Sequence, residues 1–196
     1  MSVRIVHVVR ALIINSDNVF PILLRNAGAH GCLQLPGGVV EGIANEMNPS
    51  EGCLYGELSR EVREELGLDI NITAWERIHQ AVLSKIFKPG DLGYRSDLGT
   101  DDIQYYMHYF VTRVGDVGYE YTEEERYKFL LMIRADFGKV GRLTQLLEKM
   151  ETIIDDNSKQ EIVIKLDTGL VEILRLYALH QSQKVAMSTM SGYSIS

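Results

Sequence analysis

Between Asn48 and Gly67 the sequence carries both the start and the stop signals of one α-helix. Asn48 and Ser50 flank Pro49 as candidate N-caps, and Gly67 stands where a helix end takes positive φ. Within the helix so delimited, Ser50–Leu66, the glutamates Glu61, Glu64 and Glu65 fall at i, i+3 and i+4, and Glu57 extends the row by one turn. Their carboxylates therefore share a face. Like charges gathered this way cost roughly a few tenths of a kcal/mol per pair on a bare helix. Any fold containing this helix has to offset that repulsion. A hard divalent cation such as Mg²⁺, which prefers oxygen ligands, is one way to do so. A solvated face laced with Arg–Glu pairs is the plain alternative for Arg60–Glu65 taken alone.

Around that helix the patterning is mainly that of strands. Ile5, His7 and Val9 alternate with Val6, Val8 and Arg10, and Ala11–Ile14 extends the run. Ser16-Asp17-Asn18 is turn chemistry, so Val19–Leu24 is expected to return as the second arm of a hairpin. Leu33–Leu35 reads as a short strand, as do Ile70–Leu83, Ile103–Val114 and Tyr127–Ile133. Lys85–Asp101 reads as a long polar loop, of a length uncommon unless functional. Gly115–Arg126 is a second, acidic loop. Helical spacing returns from Lys139 to Ile154 and from Thr168 to His180. The fold class expected is α+β, a mixed α/β sandwich. Residues 1–157 form the main domain in this reading, 158–182 a C-terminal helix on the domain or on a partner subunit, and 183–196 a disordered tail.

Upstream of the helix lies Leu35-Pro36-Gly37-Gly38-Val39-Val40-Glu41. Two glycines after a proline let the backbone approach a phosphate or the helix face where a side chain would clash. Alone this is a tight turn. Followed by Arg60-Glu61-Val62-Arg63-Glu64-Glu65-Leu66-Gly67-Leu68, it resembles the Nudix hydrolases. Their signature is a Gly, five residues, a Glu, seven residues, then Arg-Glu-apolar-x-Glu-Glu-x-Gly-apolar. Residues 60–68 match its second half at every defined position, Gly38 matches the opening glycine, and Glu41 sits where many members carry a further Glu. The sequence departs from the pattern in one respect: Gly38 and Arg60 stand roughly eight residues too far apart, an insertion in Gly42–Pro49. The middle Glu of the signature, which in the family pairs with the Arg, is then not uniquely placed, with Glu46 and Glu51 as candidates.

The resemblance implies a Nudix-type fold with a C-terminal helical extension. It implies Mg²⁺, with Mn²⁺ as a substitute, held by Glu61, Glu64 and Glu65 together with Gly38. The implied reaction is hydrolysis of a diphosphate linkage in a nucleoside diphosphate derivative, with Arg60 orienting the carboxylates. The general base is either Glu61 or a glutamate of the loop Glu123–Glu125, of which Glu124 is favoured. An isomerase of isoprenoid diphosphates would need a suitably placed Cys, and Cys53 falls inside the motif helix. A nucleotide-sensing, non-catalytic Nudix-like module remains as the alternative. Regulators of that kind carry a winged helix after the fold, a pattern that residues 155–196 lack.

The net charge of −7 argues against a nucleic-acid footprint. There is no apolar run of membrane-spanning length and no signal peptide. The two cysteines, Cys32 and Cys53, are too few for a disulfide framework, so a reduced, cytoplasmic setting is expected. A small-molecule substrate is the main partner expected, with a homodimer through the last helix. Lys85, Lys88 and Arg95 are candidate phosphate partners in the long loop. The five histidines do not cluster in sequence, and His7 and His108 fit strand patterns. Tyr105, Tyr106, Tyr109, Tyr119 and Tyr121 are available to stack on a base, although Tyr-rich strands are common in their own right.

Overall fold

Alternating and β-branched residues make Val3–Ile14 a twelve-residue strand, β1, and it is buried on both faces from Val6 onward. In the computed structural model the described residues are all but 1, 28–29, 92–93, 96, 98, 100, 116–126, 135–151, 155–160, 167 and 192–196. They form two compact units, Met1–Ile13 with Pro36–Glu123 and Ile14–Leu35 with Glu124–Ser196. The main domain expected over residues 1–157 includes the first unit and part of the second, and the boundaries at Ile13/Ile14 and Leu35/Pro36 hand the chain from one sheet to the other.

The first unit holds a three-stranded sheet in the order β1-β5-β4, where β4 is Glu76–Val82 and β5 is Asp102–Arg113. β4 and β5 are antiparallel, with an irregularity between Arg77 and His79. β1 also pairs with an extended segment that follows Leu35. Ala11 N–H donates to Pro36 O (2.8 Å), Val9 N–H to Gly38 O (2.9 Å), and Val40 N–H to His7 O (2.9 Å). Helix α1, Glu51–Leu66, has the ends expected. Ser50 Oγ accepts from Cys53 N, and Gly67 closes it at φ 67° with its N–H on Arg63 O. Leu54, Leu58, Val62 and Leu66 recur every fourth residue and are fully buried. Each such side chain contributes about 1.5–3 kcal/mol by leaving water. The expected strand at Ile70 starts late, because Asn71 Oδ1 caps a 3₁₀ turn at Ile72–Ala74 by accepting from Thr73 N–H. Trp75 then anchors the chain to α1, its Nε1–H donating to Ser59 Oγ at 2.8 Å.

The second unit holds a mixed five-stranded sheet, β6-β2-β3-β8-β7. Its strands are β2 (Val19–Ala27), β3 (His30–Gln34), β6 (Tyr127–Arg134), β7 (Thr152–Ile154) and β8 (Glu161–Leu166). β3 and β8 are parallel, while β2 lies antiparallel to β3 and to β6. The expected β1–β2 hairpin does not form as a ladder. The turn itself closes, with Asn15 N–H on Val19 O and Asn15 Oδ1 accepting from Asp17 and Val19 N–H. Beyond it the two strands enter different sheets. Two further expectations change. Thr152–Ile154, assigned to a helix, is β7, paired with β8, since β-branched residues fit a pleated surface better than a helix. The rest of that helix, residues 139–151, lies outside the described residues. Glu161–Leu166, grouped with the terminal helix, is β8, and its EIVIKL run has the same cause. The terminal helix α2 begins at Thr168 as expected but continues to Ser191, into the segment expected to be disordered. Leu170, Ile173, Leu174 and Tyr177 are its buried positions. Strands and helices are thus combined in an α+β architecture.

Candidate functional site

The heptad-like spacing of α1 places two rows side by side. Leu54, Leu58, Val62 and Leu66 point into the core, and Glu57, Glu61 and Glu65, also four residues apart, run along its edge. Glu61 and Glu65 are consequently buried, at 4% and 0% exposure, although ionisable carboxylates are rarely buried without partners.

Arg60 supplies one set of partners. Its guanidinium donates to Glu57, to Glu61 Oε1 at 2.7 Å and to Glu64 Oε2 at 2.5 Å. The hydrogen bond to Glu57 is the largest influence raising the Arg60 pKa; desolvation opposes it, and Glu64 and Glu61 add to it. The second set comes from the glycine turn. Gly37 N–H donates to Glu65 Oε2 at 2.8 Å, and Arg10 donates to the Gly37 carbonyl from the opposite side. Gly38 lies flat against Glu61: a Cβ there would stand 2.1 Å from its Oε1. At Gly37 a Cβ would stand 2.2 Å from the Val9 carbonyl oxygen, and φ is +132°. Gly37 is therefore required by backbone contact and by conformation, whereas a side chain at Gly38 would have to displace the Glu61 carboxylate.

Several sequence expectations change at this point. Glu61, Glu64 and Glu65 do not converge on one point, because Glu64 turns outward to Arg60 while Glu65 turns inward to Gly37. Among the described residues no three His, Cys, Asp or Glu side chains are gathered as a metal-ligand set. The carbonyl of Gly38, an expected ligand, accepts Val9 N–H. Neither Glu46 nor Glu51 pairs with Arg60. Glu57 does, a residue noted only as an extension of the row, and its i−3 spacing from Arg60 was the available signal. The carboxylates are hard oxygen donors of the kind a dication prefers, and here three of them are held on one guanidinium while the fourth lies beside the glycine turn.

In the long loop, Lys85 and Lys88 gather at Asp91. Lys85 Nζ lies 3.3 Å from its carboxylate, and Lys88 N–H donates to it at 2.9 Å. The Lys88 backbone bond and then the Lys85 bond hold the Asp91 pKa below its usual value. Arg95 is forked onto Asp97 at 2.8 and 2.5 Å. Its pKa is raised, first by that hydrogen bond, with burial opposing it and the charge of Asp97 adding to it. Glu124, Tyr119 and Tyr121 lie outside the described residues.

One polar constellation had no cue in the spacing of the sequence. His7 and His108, 101 residues apart, are both 1% exposed and meet at 2.9 Å, Nδ1 to Nε2. His7 Nε2 also lies 2.7 Å from the carbonyl of Glu46, in the inserted segment. A carbonyl only accepts, so neutral His7 carries its proton on Nε2 and accepts from His108 Nε2–H. Burial, then the charges of His7 and Arg77, lower the His108 pKa to about 4. Asn45 completes the docking of the insertion on β1, its side chain accepting from Ile5 N–H and its own N–H donating to Ile5 O.

Comparison with known proteins adds the fold. The E. coli ORF135 protein, solved in solution, is 15% identical, covers 91% of this chain and 92% of its own, and superposes with a TM-score of 0.51. A MutT Nudix hydrolase from Burkholderia pseudomallei is 18% identical over 68% of this chain and 84% of its own, at a TM-score of 0.44. The chain shares the fold of the ORF135 protein. The Nudix domain of NrtR from Shewanella oneidensis, complexed with ADP ribose, is 13% identical over 72% of this chain and 75% of its own, at a TM-score of 0.44. No family model and no curated protein matches the chain. At 15% identity the likeness to the ORF135 protein is one of fold alone. No helix among the described residues is long and apolar enough to cross a membrane.

Proposed function

We propose that this protein hydrolyses the diphosphate linkage of a nucleoside diphosphate derivative in a Mg²⁺-dependent reaction. The observation that supports the reading is the glutamate row of α1: Glu61 and Glu65 are buried beside a glycine turn, and Glu57, Glu61 and Glu64 gather on Arg60. The order of these parts in the chain is that of the Nudix signature. Glu61, Glu64 and Glu65 would hold the cation, and Mn²⁺ would substitute for Mg²⁺. A bound dication supplies charge neutralisation of the diphosphate oxygens and a more acidic water.

The chain's own residues do the remaining work. Arg60 holds Glu57, Glu61 and Glu64 on one guanidinium. Water oxygen attacks one phosphorus, the bridging P–O bond breaks, and the departing phosphate keeps the electron pair. The proton released goes to a carboxylate, either Glu61 or Glu124. Lys85, Lys88 and Arg95 offer positive charge to the substrate phosphates. A cytoplasmic protein is the setting proposed, and a homodimer through α2 the assembly. Light scattering of the full chain and of one ending at Leu166, which keeps β8, tests the dimer.

A second reading is a nucleotide-binding module without turnover. What favours it is that Arg60 already occupies the centre of three carboxylates. Incubation with Mg²⁺ and a panel of nucleoside triphosphates, ADP-ribose, dinucleotides and nucleotide sugars separates the two, with Glu64→Gln as control. Metal-dependent turnover of one class, lost in the control, supports the hydrolase. Tight binding with no turnover across the panel supports the module.

A further inference from the structure

Glu65 and Arg10 are brought together by a single residue that belongs to neither of their elements. Arg10, on β1, is 8% exposed, and Glu65, on α1, is fully buried. Gly37 lies between them. Its N–H donates to Glu65 Oε2 at 2.8 Å, and its carbonyl accepts from the Arg10 guanidinium. Each bond is charge-assisted, and such bonds are roughly twice as strong as neutral ones. The two bonds fall on the successive planar peptide units 36–37 and 37–38, so they are coupled by the backbone geometry at the Gly37 Cα. The same residue sits at φ +132° against the Val9 carbonyl, a conformation that the chain holds only while the surroundings fix it. Gly38, next along, is the contact surface of the Glu61 carboxylate.

We propose that Arg10 is a positioning residue of the glutamate row, acting through the backbone of Gly37 to fix the carboxylates of Glu65 and Glu61. Arg10 lies 28 residues before Gly38, where the motif opens, and outside it. It sets the orientation of Glu65 by holding the donor that Glu65 accepts from, and it sets the seat of Glu61 by holding the turn on which Gly38 is carried. That these carboxylates receive a dication rests on the function proposed above; the coupling of Arg10 to Glu65 does not.

The test uses the full chain with Arg10→Met, Glu65→Gln and the double variant. Unfolding equilibria in urea give the coupling, and Mn²⁺ affinity is read by electron paramagnetic resonance. The expected result is non-additivity by about threefold or more in the unfolding equilibrium. Mn²⁺ binding should weaken by about tenfold or more in Arg10→Met, the range for residues that orient ligands, and Arg10→Lys should recover part of it. Strict additivity, or Mn²⁺ affinity unchanged in Arg10→Met, overturns the proposal. If the parent protein binds no Mn²⁺ while the cycle is non-additive, the metal reading fails and the Arg10–Glu65 coupling stands. Should Arg10→Met fail to fold, Arg10→Lys with the Gly37 amide resonance decides: a shift on Glu65→Gln that matches the shift on Arg10→Lys supports it, and an amide indifferent to residue 10 overturns it.

Discussion

Adding one methyl group at Gly37 and at Gly38 should produce opposite kinds of damage. At Gly37 the new Cβ meets the Val9 carbonyl oxygen at 2.2 Å and the Arg10 Cα at 3.1 Å, both backbone atoms that cannot swing aside. The φ of +132° adds about 1–3 kcal/mol for a non-glycine residue. Forcing atoms into a filled site adds about another 1–3 kcal/mol. Loosening the bonds to buried Glu65 and Arg10 leaves charged groups poorly paired, for about 1–3 kcal/mol more. Gly37→Ala should therefore lose at least about 3 kcal/mol, a large part of the roughly 5–15 kcal/mol that holds a domain folded. At Gly38 φ is outside the left-handed region, and what the Cβ meets is the Glu61 carboxylate, at 2.1 Å from Oε1 and 2.2 Å from Cδ. A side chain can move. The loss should be about 1 kcal/mol, mainly a weakened bond from Arg60, but Glu61 is displaced from its seat. Urea denaturation measures the stabilities, and turnover of the active panel compound, with Glu61→Gln as reference, measures the site. Gly38→Ala should approach Glu61→Gln in activity while remaining folded. Equal destabilisation by the two substitutions would refute the contact argument, as would parental turnover in Gly38→Ala beside a dead Glu61→Gln.

Three further outcomes are expected. His108 is held neutral in the fold with its pKa near 4, against about 6.5 when unfolded. The unfolded chain therefore binds more protons between those values, so stability falls as pH drops from about 6.5 to about 4, by up to about 3 kcal/mol. Urea melts across that range should show the slope, and His108→Phe should flatten it. Ser50→Ala removes the acceptor of Cys53 N–H and should lower the melting free energy by about 1 kcal/mol. Trp75→Phe leaves the buried Ser59 hydroxyl without its donor and should cost about 1–2 kcal/mol by the same denaturation assay, with the Glu64-dependent chemistry intact.

The helix that carries the glutamates was legible in the sequence because its causes are local. Ser50 and Gly67 fix its ends, and a four-residue repeat of Leu54, Leu58, Val62 and Leu66 fixes its inner face. The shared face of Glu57, Glu61, Glu64 and Glu65 follows from helix geometry alone. Local composition also marked the turn at Asn15–Val19, the proline–glycine turn before the insertion, and the strands β1, β5 and β6. It could not say which strand pairs with which. β1 and β2 meet at a turn suited to a hairpin, yet sheet membership was decided by partners far along the chain, β5 for one and β3 and β6 for the other.

Side-chain partnerships divide in the same way. Arg60 with Glu64 is an i,i+4 pair that a helical wheel shows. Glu65 on Gly37, Arg10 on Gly37, Gly38 on Glu61 and His7 on His108 join residues 23 to 101 positions apart. No periodicity encodes such distances. The sequence determined that four carboxylates share one helical edge. Only tertiary packing decided that Glu65 is buried facing a glycine amide while Glu64 faces a guanidinium near solvent, because burial depends on what the rest of the chain lays against that edge.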